Sequence, residues 1–353
     1  ARRAGDAGPL EVRGGHELIA RARAPLRIDL AGGWTDVPPY VARQGGAVVN
    51  LAISLYAHAF VRPRRDGVRL SALDHGAVVT ARRADELRPD GELALLKAAA
   101  RRYAPPGGFE LVTRSDAPAG SGLGGSGALG VALVAALTAA RGERRMPAEL
   151  AQLAHQVEVH DAGVRGGKQD QHIAALGGVQ YMEFGDPEVS STRLEVPFAC
   201  LKELEQHLVL CFTGSPRSSD ATHGAVWERI ERADVEVLRA LDGIKECAKR
   251  MRDALVLGDV GKVGELLAEN WRHQQALAPG MQTETMRALE QAAATAGAEA
   301  AKACGAGAGG CLVFLARPGR DFAVAEALRA AGGTVLPFTF DGAGVVAWEA
   351  GER

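Results

Sequence analysis

DAPAGSGLGGSGALGVALVAAL, Asp116 to Leu137, crowds Gly120, Gly122, Gly124, Gly125, Ser126 and Gly127 together just ahead of an apolar run. Glycine lets a backbone approach a ligand closely, and the first turn of a helix carries N–H groups with no intrahelical partner. With the helix dipole, those donors suit a bound polyphosphate. The stretch therefore predicts a nucleotide-phosphate site, and its details narrow the type. A Walker A loop needs Lys and then Ser or Thr after its last glycine, whereas Gly125 is followed by Ser126 and Gly127, so that type is excluded. Gly120, Gly122 and Gly125 do spell G-x-G-x-x-G. A dinucleotide fold, however, asks for a short strand-to-helix turn, and Asp116, Ala117 and Pro118 stand between the strand Phe109 to Arg114 and the glycines. A glycine-rich connection that merely lets a helix pack tightly remains open. A kinase loop of non-Walker type is the leading reading.

The rest of the chain bounds the context. A length of 353 residues suits two domains, and a net charge of −2 with no Lys/Arg run argues against nucleic acid or an anionic membrane as partner. No stretch is apolar enough to span a bilayer. The opening ARRAGDAGPLEVRGGHE has no apolar segment of the signal-peptide kind, and residues 1–18 read as a flexible tail. The five cysteines, Cys200, Cys211, Cys247, Cys304 and Cys311, are odd in number and show no C-x-x-C spacing. They read as reduced, mostly buried thiols of a cytoplasmic protein without a zinc site.

Periodicity places the elements. From Val48 to Val61 the odd positions Val49, Leu51, Ile53, Leu55, Ala57, Ala59 and Val61 are apolar, while Asn50, Ser54 and His58 fall between them; period two predicts a strand with one buried face. Gly125 to Arg141 and Pro147 to Val159 predict helices, RGGKQDQ breaks the pattern, and GGVQYMEF predicts a strand. The polar stretch Asp186 to Val196 is the candidate domain boundary. HLVLCFTG predicts a buried strand, helices follow over about 220–300, and the glycines from Gly305 to Gly310 lead into the strand CLVFLA. This order points to two α+β domains, 19–195 and 196–353, rather than a regular βαβ repeat.

Polar clusters interrupt the apolar elements. In APLRIDLAGGWTD, Arg27 and Asp29 lie in a strand that Gly32 and Gly33 end, and Asp36 sits on a turn where a carboxylate can accept hydrogen bonds from sugar hydroxyls or simply close the turn. Trp34 is either core or a flat wall for a sugar ring. The Ser126 hydroxyl at the helix start is a candidate Mg²⁺ ligand, and Glu158 becomes a second one if its helix aims it at the phosphates. Lys168, Gln169 and Asp170 follow two glycines, and an Asp near an acceptor hydroxyl can take its proton while a neighbouring Arg or Lys holds it ionised.

Together these residues resemble the GHMP kinases, the superfamily of galactokinase, homoserine kinase, mevalonate kinase and phosphomevalonate kinase, from about Ala22 onward. DAPAGSGLGGSGA is similar to that family's phosphate loop, and KACGAGAGGCLVFLA, Lys302 to Ala316, to its C-terminal glycine motif. The resemblance implies a ribosomal S5 domain 2-like N-terminal domain and a ferredoxin-like C-terminal domain, with ATP and Mg²⁺ between them. It implies that Pro118, Gly120, Ser121, Gly122, Leu123, Gly124, Gly125, Ser126 and Gly127 bind the ATP phosphates and that Ser126 and Glu158 hold Mg²⁺. Asp170 would be the catalytic base, with Arg27 and Lys168 supplying positive charge. Gly33, Trp34, Thr35, Asp36, Gly167, Arg217 and Gly307 would meet the sugar. Gly125 departs from the family loop, which has Ser there.

Within the superfamily, GGKQDQHIAALGG, TGSPRSSD, NWRHQQAL and VLPFTFDGAGVVAW are most similar to the D-glycero-D-manno-heptose 7-phosphate kinases, while RIDLAGGWTDVPPY also resembles the L-fucokinases. Both imply phosphorylation at an anomeric hydroxyl, in a monomer or homodimer. A pocket for the substrate's own phosphate separates them, with Arg165, Lys168, Arg217, Ser218 and Ser219 as candidates because Arg matches phosphate with a bidentate fork. Fucokinases tend to carry an aromatic residue where Lys168 stands, which favours the heptose phosphate. A non-catalytic sugar sensor on the same fold would be expected to lose Ser126, Glu158 or Asp170, and all three are present.

Overall fold

The structure, a computed structural model, describes residues 18–214 and 219–351. The expected N-terminal tail lies outside them, apart from Leu18.

The first unit runs β1 (Leu18–Ala31), α1 (Pro38–Gln44), β2 (Gly46–Arg64), β3 (Val68–Ala72), β4 (Ala77–Ala81), α2 (Ala94–Tyr103), β5 (Gly108–Ser115), α3 (Gly125–Ala140), α4 (Pro147–His155), α5 (Gln169–Leu176), β6 (Val179–Phe184) and β7 (Val189–Arg193). Its sheet has the order β1-β2-β5-β3-β4, with β6 sharing the β5 edge of β2 further along the strand and β7 beyond β6. β3 and β5 pair in parallel, and the other pairs are antiparallel.

β2 departs from its single-faced pattern. Gly46 to Ile53 is buried at every position, and alternation starts only near Ala57. The strand changes partner between the two halves. Gly46–Leu51 pairs with β6, and Ala57–Arg64 pairs with β5. The first half thus lies in the interior of the sheet, with α5 packed against it. The stretch 186–196, expected as a boundary, carries β7 and so still belongs to this sheet.

The second unit runs α6 (Phe198–His207), β8 (Leu208–Phe212), α7 (Ser219–Glu231), α8 (Val235–Leu257), α9 (Val260–Gln275), α10 (Glu284–Ala296), β9 (Ala298–Ala303), β10 (Cys311–Ala316), α11 (Asp321–Ala330), β11 (Thr334–Leu336) and β12 (Val346–Gly351). Strands β8 to β11 form an antiparallel sheet in the order β11-β8-β10-β9, the split pattern of a ferredoxin-like unit. β12 leaves this unit and pairs with β1, so a division at residue 195 does not separate the two sheets cleanly. Together the units give a two-domain α+β fold of the kind the resemblance implies.

Two features of this architecture set up the site. α3 is rich in Ala and Leu and buried on nearly every side, and Gly127 and Gly130 let its neighbours approach. A Cβ at Gly127 would stand 2.6 Å from Asp170 Cβ, and one at Gly130 would touch Ala154. The second feature joins the sheets. Lys302 on β9 and Asp29 on β1 form an ion pair at 2.8 Å with 0% and 2% side-chain exposure. Lys302 Nζ also donates to the carbonyls of Asp29 and Ala303, so all three ammonium protons are matched. Removing one partner of such a pair strands a buried charge. Lys302→Met should therefore cost about 3–5 kcal/mol in urea unfolding, and adding Asp29→Asn should recover much of it. Equal stability of Lys302→Met and wild type would contradict this role.

Candidate active site

The loop between β5 and α3 bends at Gly120, Gly122 and Gly124, with φ of 71°, 73° and 73°, a region glycine enters without steric cost. The glycines of the second unit lie on its back. A Cβ at Gly305 would be 2.5 Å from the Gly122 carbonyl, and one at Gly310 would be 2.7 Å from that of Ser121. Cys311 N also donates to Ser121 O at 2.7 Å. The two glycine clusters thus form one double-layered turn. In front of it opens a cavity of about 640 Å³. One end is walled by Ala72, Leu93, Leu96 and Thr113, the middle by Pro118 to Gly122 and Gly124 to Ser126, and the other end by Gly33, Trp34, Asp36, Gly167 and Trp227. The exposed first turn of α3 faces the middle.

Arg27 and Asp170 meet beside that turn. Arg27 Nε donates to Asp170 Oδ1 at 2.9 Å, and Nη2 lies 2.8 Å from the same oxygen. Nη1 donates to the carbonyls of Gly122 (2.6 Å) and Cys304 (2.8 Å). Burial by itself would lower the guanidinium's pKa, but Asp170 and Asp29 outweigh it and the net shift is upward. Both contacts of Arg27 with Asp170 fall on Oδ1. Asp170 sits at the start of α5, in the space that Gly127 leaves open.

Glu158 lies on a π-helical turn, Gln156–Asp161, that replaces the regular helical end expected there. Such turns add a residue and re-aim side chains, and they concentrate at functional sites. Glu158 is buried; its Oε1 accepts from Ser126 Oγ at 2.5 Å and its Oε2 from Gln171 Nε2 at 2.6 Å. A carboxylate and a hydroxyl converging at a helix start beside the cavity are hard oxygen donors, the chemistry Mg²⁺ prefers. The residues present therefore match a Mg²⁺ site.

At the far end Asp36 is buried, accepting from Gln169 N (3.2 Å) and Gln169 Nε2 (2.9 Å), while Asn50 orients the Gln169 amide. Burial first, and then the charge of Asp170, raise its pKa to about 6. Gly167 makes this approach possible, since a Cβ there would overlap the carboxylate at 1.8 Å. Trp34 has φ of 77°, an unusual value for a bulky residue, and its indole donates to Ala306 O at 3.1 Å.

Not every expected residue joins this set. Lys168 turns away from Asp170: its ammonium donates to Pro187 O at 2.9 Å and faces a separate cavity with His155 and His172. As the residue just before α5, it leaves the helix start on the side opposite Asp170. Thr35 is buried under the turn, where its hydroxyl serves Gly32 O and Ala47 O. Leu123 points into the core, and its carbonyl accepts from Arg27 N. Gly127 makes room for Asp170 instead of facing the cavity. Gly307 packs on Met281, whose Sδ a Cβ would meet at 2.4 Å. Arg217 and Ser218 lie outside the described residues, as does the side chain of Ser219. Arg165 does line the cavity with Trp34 and Asp36, its guanidinium 6.0 Å from the Trp227 ring.

Sequence reasoning passed over Lys302, Asn270, Gln274 and Gln171, and named Gln169 only as a neighbour of Asp170. Asn270 accepts from Gly32 N and Gln274 donates to Gly305 O, so α9 holds two of the turns that line the cavity. Their signal was the spacing of two amides at i and i+4 in NWRHQQ, which puts both on one helix face.

Comparison with known proteins agrees with this geometry. Residues 93–178 match the GHMP kinases N terminal domain and residues 251–334 the GHMP kinases C terminal domain. The chain is 33% identical over 335 residues to the D-glycero-alpha-D-manno-heptose 7-phosphate kinase of Campylobacter jejuni, covering 93% of this chain and 98% of that one. A crystal structure of a D-glycero-D-manno-heptose 1-phosphate kinase from Bacteroides thetaiotaomicron superposes with a TM-score of 0.76 at 32% identity, covering 93% and 98% of the two chains. The L-fucokinase/L-fucose-1-P guanylyltransferase of Bacteroides fragilis is 29% identical over 77% of this chain and 32% of its own length. No helix among the described residues is long and apolar enough to cross a membrane.

The Asp36 environment has a measurable consequence. Its pKa rises from 3.8 unfolded to about 6 folded, so the native state holds the extra proton between those values. The stabilisation it lends is complete below the unfolded value and is lost as pH rises through about 6. At about 1.4 kcal/mol per pH unit the loss is about 3 kcal/mol. Urea unfolding from pH 4 to 7 should show wild type losing that much relative to Asp36→Asn; parallel curves would contradict it.

Proposed function

We propose, from the premise that this chain belongs to the GHMP kinases, ATP-dependent phosphotransferases that act on an alcohol group, that its acceptor is the anomeric hydroxyl of a heptose 7-phosphate. The observation that carries the kinase chemistry is the Asp170 carboxylate, locked by Arg27 beside the free first turn of α3. ATP phosphates lie along the Gly120–Ser126 turn, where backbone N–H groups and the helix dipole receive them. Ser126 and Glu158 would hold Mg²⁺, which neutralises phosphate charge when bound. Asp36 accepts hydrogen bonds from ring hydroxyls and, with Trp34, orients the sugar. Asp170 orients the anomeric hydroxyl and takes its proton as the oxygen–phosphorus bond forms and ADP departs. Positioning and charge neutralisation supply most of the rate.

The choice of a phosphorylated sugar rests on Arg165 and on the heptose kinases to which the chain is similar over nearly its whole length. Arg165 stands at the acceptor end over Trp227 and makes no ion pair among the described residues. Its fork is free for an acceptor's phosphate. A second reading, a sugar without its own phosphate such as L-fucose, gains from the turning away of Lys168, which had argued against it.

ADP release measured on heptose 7-phosphate, free heptose and L-fucose separates the readings. The phosphorylated heptose should give the highest kcat/KM, and a preference for L-fucose would overturn the acceptor assignment. Arg165→Ala should raise KM for the phosphorylated acceptor at least about tenfold with kcat retained, since it removes binding made equally in ground and transition states. Asp170→Asn should lower kcat by at least ~10²-fold, and an unchanged rate would remove Asp170 from the mechanism.

A further inference from the structure

Away from the catalytic cavity, α8 and α9 pack against each other and bring together three side chains the phosphoryl-transfer chemistry does not use. Cys247 comes from α8, and Glu269 and His273, one turn apart, come from α9. The Cys247 sulfur, a Glu269 carboxylate oxygen and a His273 ring nitrogen all lie within 4.8 Å of one another. We infer that these three residues form a site for a borderline divalent cation of the Zn²⁺ class, pinned between the two helices.

Several observations point the same way. Gly243 lies one turn before Cys247, and a Cβ there would come within 2.6 Å of the His273 ring. The absence of a side chain at 243 seats the imidazole against α8, beside the thiol. Glu269 Oε1 accepts from Arg250 at 2.7 Å, which fixes the carboxylate while its second oxygen remains a possible donor. Thiolate, imidazole and carboxylate bind Zn²⁺ at about 2.0–2.3 Å, so a single ion between them nearly spans the observed separations. A sulfur donor disfavours Mg²⁺ and Ca²⁺, which take oxygen ligands. Two anionic ligands neutralise the ion, and the fourth position is left to water. Binding exchanges the thiol proton for the metal, with the sulfur–hydrogen bond giving way to sulfur–metal and the proton leaving to solvent. Cysteine spacing argued against zinc because only one of the ligands is a cysteine.

The site has a structural consequence. Asn270 and Gln274 follow Glu269 and His273 directly along α9 and hold Gly32 and Gly305. An ion between α8 and α9 would fix the seat of the helix that braces both turns.

The test titrates the full, metal-free chain with Co²⁺ and then with Zn²⁺, without nucleotide. The expected result is a near-ultraviolet thiolate-to-cobalt charge-transfer band that saturates at one ion per chain and is displaced by Zn²⁺. The Ser126 and Glu158 oxygens contribute nothing to that band. Cys247→Ser should abolish it. His273→Ala, at a half-buried position that spares the core, should weaken Zn²⁺ binding by more than the roughly 10–100-fold cost of losing an outer-shell partner. No band in wild type, a band surviving in Cys247→Ser, or unchanged affinity in His273→Ala would each overturn the proposal.

Discussion

The buried Arg27 guanidinium is the contact through which the parts of the site hold one another. Withdrawing a guanidinium from water is tolerated only where its donors are matched. Here the partners come from three separate places: the Asp170 carboxylate at the start of α5, the Gly122 carbonyl of the phosphate loop, and the Cys304 carbonyl at the end of β9. The first two belong to one unit and the third to the other. The Asp170 carboxylate, the proposed base, is therefore held in place only when the loop and the two units are in place. A lysine offers a point charge without the planar fork, and its single nitrogen cannot reproduce the four contacts that Arg27 spreads over Nε, Nη1 and Nη2.

Around this contact the structure exchanges side-chain volume for backbone proximity. Gly305 and Gly310 lie on the phosphate loop, Gly127 admits Asp170, and Gly167 admits Asp36. Each would place a Cβ at 1.8–2.7 Å from an atom of its neighbour, so the glycines act as packing surfaces as well as flexible joints. Behind them the Lys302–Asp29 pair and the Asn270 amide fix the turn at Gly32 to Asp36, while the Gln274 amide holds Gly305. The positive φ of Trp34 persists because that frame holds it.

Much of this was legible in the chain. The glycine loop and the helix after it follow from residue type and spacing, because free helical N–H groups leave a local signature, whereas the pairing of Ser126 with Glu158 was implied by the family resemblance alone. Arg27 and Asp29 stood out as charges in an apolar strand, and the structure buries both. Less visible were relations set by long-range packing. Lys168 sits next to Gln169 in sequence, yet its side chain leaves the other side of the helix start, a direction that the sequence alone does not encode. Thr35 and Gly307 lie in the right loops but face the scaffold. Lys302 was hidden within a glycine motif, since nothing local tells that its partner lies 273 residues earlier. The double burial of early β2 was missed because the helices packed on the strand, α5 among them, are distant in sequence.

In this account one arginine, Arg27, couples the proposed base Asp170 to the packing of the two units. Turnover of Arg27→Lys, by ADP release at saturating ATP and sugar, tests it most directly, with circular dichroism verifying the fold. A folded variant whose kcat has fallen by at least about tenfold, although the charge is kept, is the predicted result. A folded Arg27→Lys protein with the wild-type kcat would contradict it.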